Sequence, residues 1–176
     1  MSADLATTTD ILADLIGFPT VSADSNLAMI AYLAARLEDS GARVDTFRDE
    51  TGRKANLFAT FGPEADGGIV LSGHTDVVPV TDRDWSCDPF VMTQVEGRLY
   101  GRGACDMKGF IAATLAMAPK FAAAVRGRPL HLAFTYDEEV GCIGAPFMIA
   151  EMAETMPKAA ACIVGEPSLM KVVTQH

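Results

Sequence analysis

The sequence lacks any apolar run approaching the roughly 20 residues that a membrane span needs, and Met1-Ser2-Ala3-Asp4 lacks the basic start of a secretory leader. These absences point to a cytoplasmic protein with no membrane partner. Basic charge is scarce too: 14 Lys and Arg stand against 23 Asp and Glu, a net charge of −9 over 176 residues. A nucleic-acid binder needs a basic stripe to neutralise phosphates, so nucleic acid is not an expected partner. The 4 cysteines, Cys87, Cys105, Cys142 and Cys162, form no CxxC pair, which excludes a zinc ribbon and a thioredoxin-like redox site. Cys105, Cys142 and Cys162 have small or apolar neighbours and read as buried small hydrophobes. Internal repeats and low-complexity tails are missing, and the length suffices for one compact domain.

What is present is alternation. Asp10–Ile16 carries apolar residues at helical spacing and stops at Gly17, and Ser25 reads as the N-cap of a second helix ending at Gly41. Short β-type runs follow at Ala42–Phe47, Asn56–Phe61 and Gly68–Ser72, the last apolar enough for a central strand covered on both faces. Residues Thr81–Pro89 read as a loop, and Phe90–Val95 with Arg98–Tyr100 as a hairpin around Glu96-Gly97. Met107–Val125 reads as a buried helix broken or kinked at Pro119. A strand at Pro129–Tyr136, a helix at Ala145–Glu154 and a strand at Ala159–Val164 complete the order. Such a sequence of elements predicts an α/β fold, a mostly parallel, mixed sheet sandwiched by helices. The closing run Lys171–His176 is β-like, with no cap or polar tail, and reads as a truncation.

In open parallel sheets, ligands bind beyond the carboxyl ends of the strands, so the residues directly after each apolar run are informative. They are Ser72-Gly73-His74-Thr75-Asp76, Asp137-Glu138-Glu139 and Gly165-Glu166-Pro167, joined by Asp106 in the turn Gly101-Arg102-Gly103-Ala104-Cys105-Asp106. Five of these carboxylates, Asp76, Asp106, Glu138, Glu139 and Glu166, would repel too strongly near one another to persist without a cation. Imidazole with carboxylates suits zinc first, with cobalt or manganese as substitutes. Asp76, two residues from His74 on extended backbone, can accept that ring's far N–H and fix its tautomer. Adjacent Glu138 and Glu139 point in different directions, so one can bind metal while the other holds a water. Asp106 can bridge two ions. The rival reading of Gly101-x-Gly103 as a phosphate cradle fails on Asp106, which stands where a third glycine belongs. A metal-binding module without catalysis remains the other alternative; the second acid at Glu138 favours an enzyme.

The motifs Ser72–Pro79, Gly101–Gly109, Asp137–Gly141 and Gly165–Ser168 resemble, in order, those of the two-zinc aminoacylase and carboxypeptidase family, which includes acetylornithine deacetylases and succinyl-diaminopimelate desuccinylases. Ala104–Gly109 and Met170–His176 look most like the acetylornithine deacetylase branch. The resemblance implies that His74 and Glu166 hold one zinc, Asp106 bridges both and Glu139 holds the second. It implies Glu138 as general base and a cis peptide after Asp106, and Asp76, the support of His74, is counted with Glu138 among the catalytic residues. By the same resemblance the substrate is an N-acyl amino acid, with N2-acetyl-L-ornithine of arginine biosynthesis first, and the full-length form is a homodimer. Residues 1–176 would then be part of a metallohydrolase catalytic domain, without the dimerisation domain and the returning segment that supplies a further zinc-binding His. His176 is not counted as that ligand, and His131 reads as structural. The expectation for the 176 residues alone is weak binding of the second metal and little turnover.

Overall fold

The computed structural model describes residues 2–81 and 84–174, with Glu154 placed by its backbone alone. Asp82, Arg83, Gln175 and His176 lie outside the described residues, so the readings of the loop's centre and of His176 are not addressed. In chain order the elements are α1 (Ala3–Ile16), α2 (Leu27–Asp39), β1 (Arg43–Arg48), β2 (Ala55–Phe61), β3 (Gly68–His74), β4 (Thr93–Val95), β5 (Arg98–Tyr100), α3 (Lys108–Ala124), β6 (Leu130–Thr135), α4 (Gly144–Thr155) and β7 (Ala159–Val164). Among the described residues no helix is long and apolar enough to cross a membrane.

The main sheet has the order β1-β2-β6-β3-β7. β6, β3 and β7 run parallel, whereas β1 pairs antiparallel with β2 and β2 with β6. The sheet is therefore mixed, with its parallel part on the side that carries the chemistry. Helices cover it unequally. Leu57, Ala59, Phe61, Leu132 and Phe134 face one side, where Leu15, Ile16, Leu33, Leu37, Ile111 and Leu115 of α1, α2 and α3 close the main core. On the other side α4 lays Met148 over Phe58, Val70 and Ala133. α4 packs on β2 and β6, β7 is exposed along its length, and Ile69 of β3, on the same face as Leu71, is 42% exposed. The expectation that β3 is sealed on both faces is thus corrected: it is central, but the face that carries Ile69 is partly open.

Local chemistry explains where elements begin and end. α1 starts at Ala3 rather than Asp10: Ser2 caps it, its hydroxyl accepting the Leu5 amide at 3.3 Å, and Thr7, Thr8 and Thr9 fit inside the helix with their hydroxyls donating to the carbonyls of Ala3, Asp4 and Leu5. Asn26 rather than Ser25 occupies the N-cap position of α2, but its side chain makes no cap bond, and the Ser25 hydroxyl accepts the Leu27 amide at 3.3 Å. The Asn26 side-chain amide is spent on docking: it bonds the Ala55 carbonyl at 2.8 Å, the Ala55 amide at 2.9 Å and the Thr75 hydroxyl at 2.9 Å. The β4–β5 hairpin turns on Glu96 and Gly97, both with positive φ, 49° and 76°, as a two-residue turn of the I′ kind requires. His131 sits inside the sheet, bonded to the Thr60 hydroxyl at 2.9 Å and stacked on Phe58. Burial first, then the charge of Arg43, holds its pKa below the ordinary value, in keeping with a structural ring. Lys171 to Thr174 form no strand among the described residues.

Of the expected break or kink at Pro119, the break does not occur: α3 runs through it to Ala124. Proline leaves the Leu115 carbonyl without its helical donor, yet buried Leu115 and Ala118 hold the turn in place. Because Pro119 is exposed, Pro119→Ala restores that bond without disturbing the core and is expected to stabilise the fold by about 2 kcal/mol. Urea unfolding followed by circular dichroism checks this, and an unchanged midpoint would show that the helix bears no cost there.

The cysteine reading needs a larger correction. Cys105, Cys142 and Cys162 are all exposed and unpaired, because the first two lie in loops at the strand rim and the third on the bare edge strand. Small apolar neighbours in sequence did not translate into burial.

Candidate metal centre

In the parallel part of the sheet, His74 stands opposite Thr135 and Ser72 opposite Val164, so β3, β6 and β7 end at one rim. The residues that follow them are His74, Asp137-Glu138-Glu139 and Glu166. Asp106 reaches the same place from the loop before α3, across a cis Asp106–Met107 peptide. A cleft of about 550 Å³ opens there, lined by His74, Asp106, Glu138, Cys142, Val164 and Glu166 among others.

His74 is the hub, 1% exposed. Its Nε2 lies 2.9 Å from Asp106 Oδ1, 3.8 Å from Glu166 Oε1 and 3.9 Å from Glu138 Oε2. Its Nδ1 lies 2.9 Å from the backbone carbonyl oxygen of Asp76. A carbonyl only accepts, so Nδ1 must carry a proton, and Nε2 is the nitrogen that faces the acids. Two overlapping donor sets result: His74, Asp106 and Glu139, and His74, Glu138 and Glu166, with the donor atoms of each set within 4.8 Å of one another.

Asp76 works differently from the expectation. Its carboxylate oxygen is 3.6 Å from His74 Nδ1, while its short contacts are a 2.6 Å bond from the Ser22 hydroxyl, 3.0 Å from the Glu138 amide and 3.3 Å from the Glu139 amide. The tautomer of His74 is set by the main chain of Asp76, and the carboxylate instead grips the segment bearing the two glutamates. Burial alone would raise the Asp76 pKa, but the nearby His74 ring and the bonds from the Ser22 hydroxyl and the Glu138 amide bring it below the ordinary carboxylate value.

The other groups show the strain of crowding. Burial and the charges of Asp106 and Glu138 raise the Glu139 pKa against the opposing pull of His74. The Glu166 pKa is raised first by burial, with the charges of Asp106 and Glu138 opposing the pull of His74. For His74, burial lowers the pKa, but the nearby Asp76 carboxylate, the hydrogen bond to Asp106 and the negative charge of Glu166 reverse this and lift it to about 9. Protons therefore balance the acids at this rim. The donor set, one imidazole nitrogen and several carboxylate oxygens with raised proton affinity, also fits a borderline divalent cation such as zinc.

A pH dependence follows. A histidine whose folded pKa exceeds its unfolded value of about 6.5 contributes stability below that pH and loses it as pH rises through about 9. The raised Glu139 and Glu166 act in the same sense. With EDTA present, the chain is expected to lose up to about 3 kcal/mol between pH 6.5 and 9, read as a falling Tm. Zinc should reverse the slope, because a cation then replaces the proton on Nε2. A flat Tm in EDTA would remove the assignment of charge to His74.

The structure thus brings His74, Asp76, Asp106, Glu138, Glu139 and Glu166 to one rim. Sequence reasoning missed Ser22 and Lys54, which approach the same segment from the loop after α1 and from the residue before β2. Neither lies in a motif, and no local pattern marks them.

Residues 70–175 match peptidase family M20/M25/M40. Over 169 residues, 92% of this chain and 43% of the relative, the sequence is 37% identical to a protein named acetylornithine deacetylase from Edwardsiella ictaluri (strain 93-146). The fold is similar to that of human carnosine dipeptidase 1, with a TM-score of 0.77 at 23% identity, covering 89% of this chain and 38% of that one. It is equally similar to the M20 family metallo-carboxypeptidase Sso-CP2 from Sulfolobus solfataricus, with a TM-score of 0.77 at 24% identity, covering 94% and 37%. The chain spans less than half the length of the curated relatives it matches.

Proposed function

Because this chain belongs to peptidase family M20/M25/M40, we propose that it carries the metal-binding part of a zinc-dependent amide hydrolase acting on N2-acetyl-L-ornithine. The observation that carries this reading is the meeting of His74 Nε2 with Asp106, Glu138 and Glu166 at one strand rim. The substrate follows the name of relatives 37% identical to it, and it would place the enzyme in arginine biosynthesis in the cytoplasm. The complete form is proposed to be a homodimer.

Four residues would hold two zinc ions: His74 and Glu166 one, Glu139 the other, and Asp106 both. When bound, the ions supply Lewis acidity that polarises the scissile carbonyl and acidifies a water. Glu138 takes the proton of that water as its oxygen adds to the carbonyl carbon. It returns the proton to the amide nitrogen as the C–N bond breaks, leaving acetate and the free amine. Asp76 holds the Glu138 and Glu139 amides and, through its own carbonyl, the His74 ring.

The test is metal content together with hydrolysis, in the longest natural form that contains this segment. Zinc loading should accompany turnover of N-acetylornithine above that of N-succinyl-diaminopimelate and of dipeptides. Preference for another of these would move the substrate within the family. Bound zinc without turnover of any would leave a metal-binding module, and cobalt or manganese in place of zinc would revise the metal alone.

A further inference from the structure

The segment Asp137-Glu138-Glu139 carries two of the acids on which the hydrolase reading rests, yet it is a loop, and loops do not hold side chains to within fractions of an ångström unaided. Its backbone enters the loop through Asp137 with φ of 55°, a left-handed conformation open to glycine and, with local hydrogen bonds, to Asp. Two groups hold the loop from that point. Lys54 Nζ donates to both carboxylate oxygens of Asp137 at 2.6 Å and also to the Ser22 carbonyl. The Ser22 hydroxyl donates to Asp76, whose carboxylate accepts the amides of Glu138 and Glu139.

These bonds close a ring: Lys54 to Asp137, along the backbone to Glu138 and Glu139, across to Asp76, then to Ser22 and back to Lys54. Both charged members are shielded, with side chains 17% and 11% exposed, so the pair is not an ordinary surface contact that water would loosen. Lys54 is itself fixed: its amide donates to Asp49 Oδ1 at 3.0 Å and it directly precedes β2, which lies in the core. Resting on the hydrolase reading for its purpose, we propose that Lys54, acting through Asp137 and Ser22, is a positioning residue that sets the Glu138-Glu139 segment against His74. Lys54 itself ligates nothing and touches no substrate. Its ammonium holds the loop at Asp137, and the Asp76 carboxylate holds it at the Glu138 and Glu139 amides.

Two readouts test this. In amide hydrogen exchange, Lys54→Met should accelerate Glu138 and Glu139 at least tenfold more than Ile111 and Leu115 of α3, which report the core. Cobalt titration of the same variant should show the Kd raised 10- to 100-fold, the usual effect of losing a group that orients ligands. Asp137→Asn keeps the shape of the partner and removes its charge; it should act in the same direction, and it decides the matter should Lys54→Met fail to fold. Acceleration at Glu138 and Glu139 no greater than in α3, with cobalt affinity unchanged, would make the ion pair a stabilising contact only and overturn the proposal. If the unaltered chain takes up no cobalt, the metal reading falls, while the exchange comparison still decides the clamp.

Discussion

Replacing Glu138 with glutamine lowers kcat for amide hydrolysis by about 100- to 10,000-fold, the range typical of a lost general acid or base, and leaves zinc affinity within about twofold. The expectation is sharp because geometry offers Glu138 two roles. Its Oε2 lies 3.9 Å from His74 Nε2, close enough to join Glu166 in a donor set. Its Oε1 lies 3.5 Å from the Cys142 thiol, which donates to it, at the open side of the cleft. A base loses turnover and spares the metal; a ligand loses both. Measuring kcat and zinc affinity on the same preparation separates the two, and a joint collapse would reassign Glu138 to the metal.

Asp106→Ala is expected to weaken zinc binding by more than about 100-fold, since even groups that merely orient ligands account for 10- to 100-fold. Asp106 makes the shortest contact to His74 Nε2, 2.9 Å, with a side chain 48% exposed. That exposure means its removal opens no core cavity, and the fold should keep its Tm in EDTA near neutral pH to within a few degrees. Loss of Asp106 also strips His74 of a hydrogen bond that raises its pKa. The fall of Tm with rising pH should therefore become shallower in the variant. Zinc affinity close to that of the unaltered chain would place the metal elsewhere on the rim and end the assignment of Asp106 as the bridge.

Much of the architecture was legible in the order of residues, and the exceptions have physical causes. Continuous apolar runs such as Gly68–Ser72 and Leu130–Thr135 announce strands because a pleated, enclosed surface selects them. α1 is longer than its apolar pattern suggests because its first turn is held by the Ser2 cap, which leaves no apolar period in the sequence, and the polar run Thr7–Thr9 turns its hydroxyls onto its own carbonyls. The helix through Pro119 survives since tertiary burial outweighs one missing bond. Cys105, Cys142 and Cys162 were misjudged because exposure depends on which side of the sheet is covered, and nothing around them in sequence encodes the bare edge at β7.

At the rim the division is similar. The acids and the imidazole could be named from sequence because, in a parallel sheet, whatever follows each strand arrives at the same edge. Sequence by itself thus determined the class of fold, the residue types at the site and the family. Which atom meets which was decided only by tertiary structure. His74 turns Nε2 toward Asp106, 32 positions away, since the carbonyl of Asp76 claims Nδ1. The carboxylate of Asp76 turns from that ring to two amides and a hydroxyl, and Lys54 reaches Asp137 across 83 positions. Such partners are chosen by distance and by unsatisfied donors and acceptors, quantities that exist only after the chain has closed on itself.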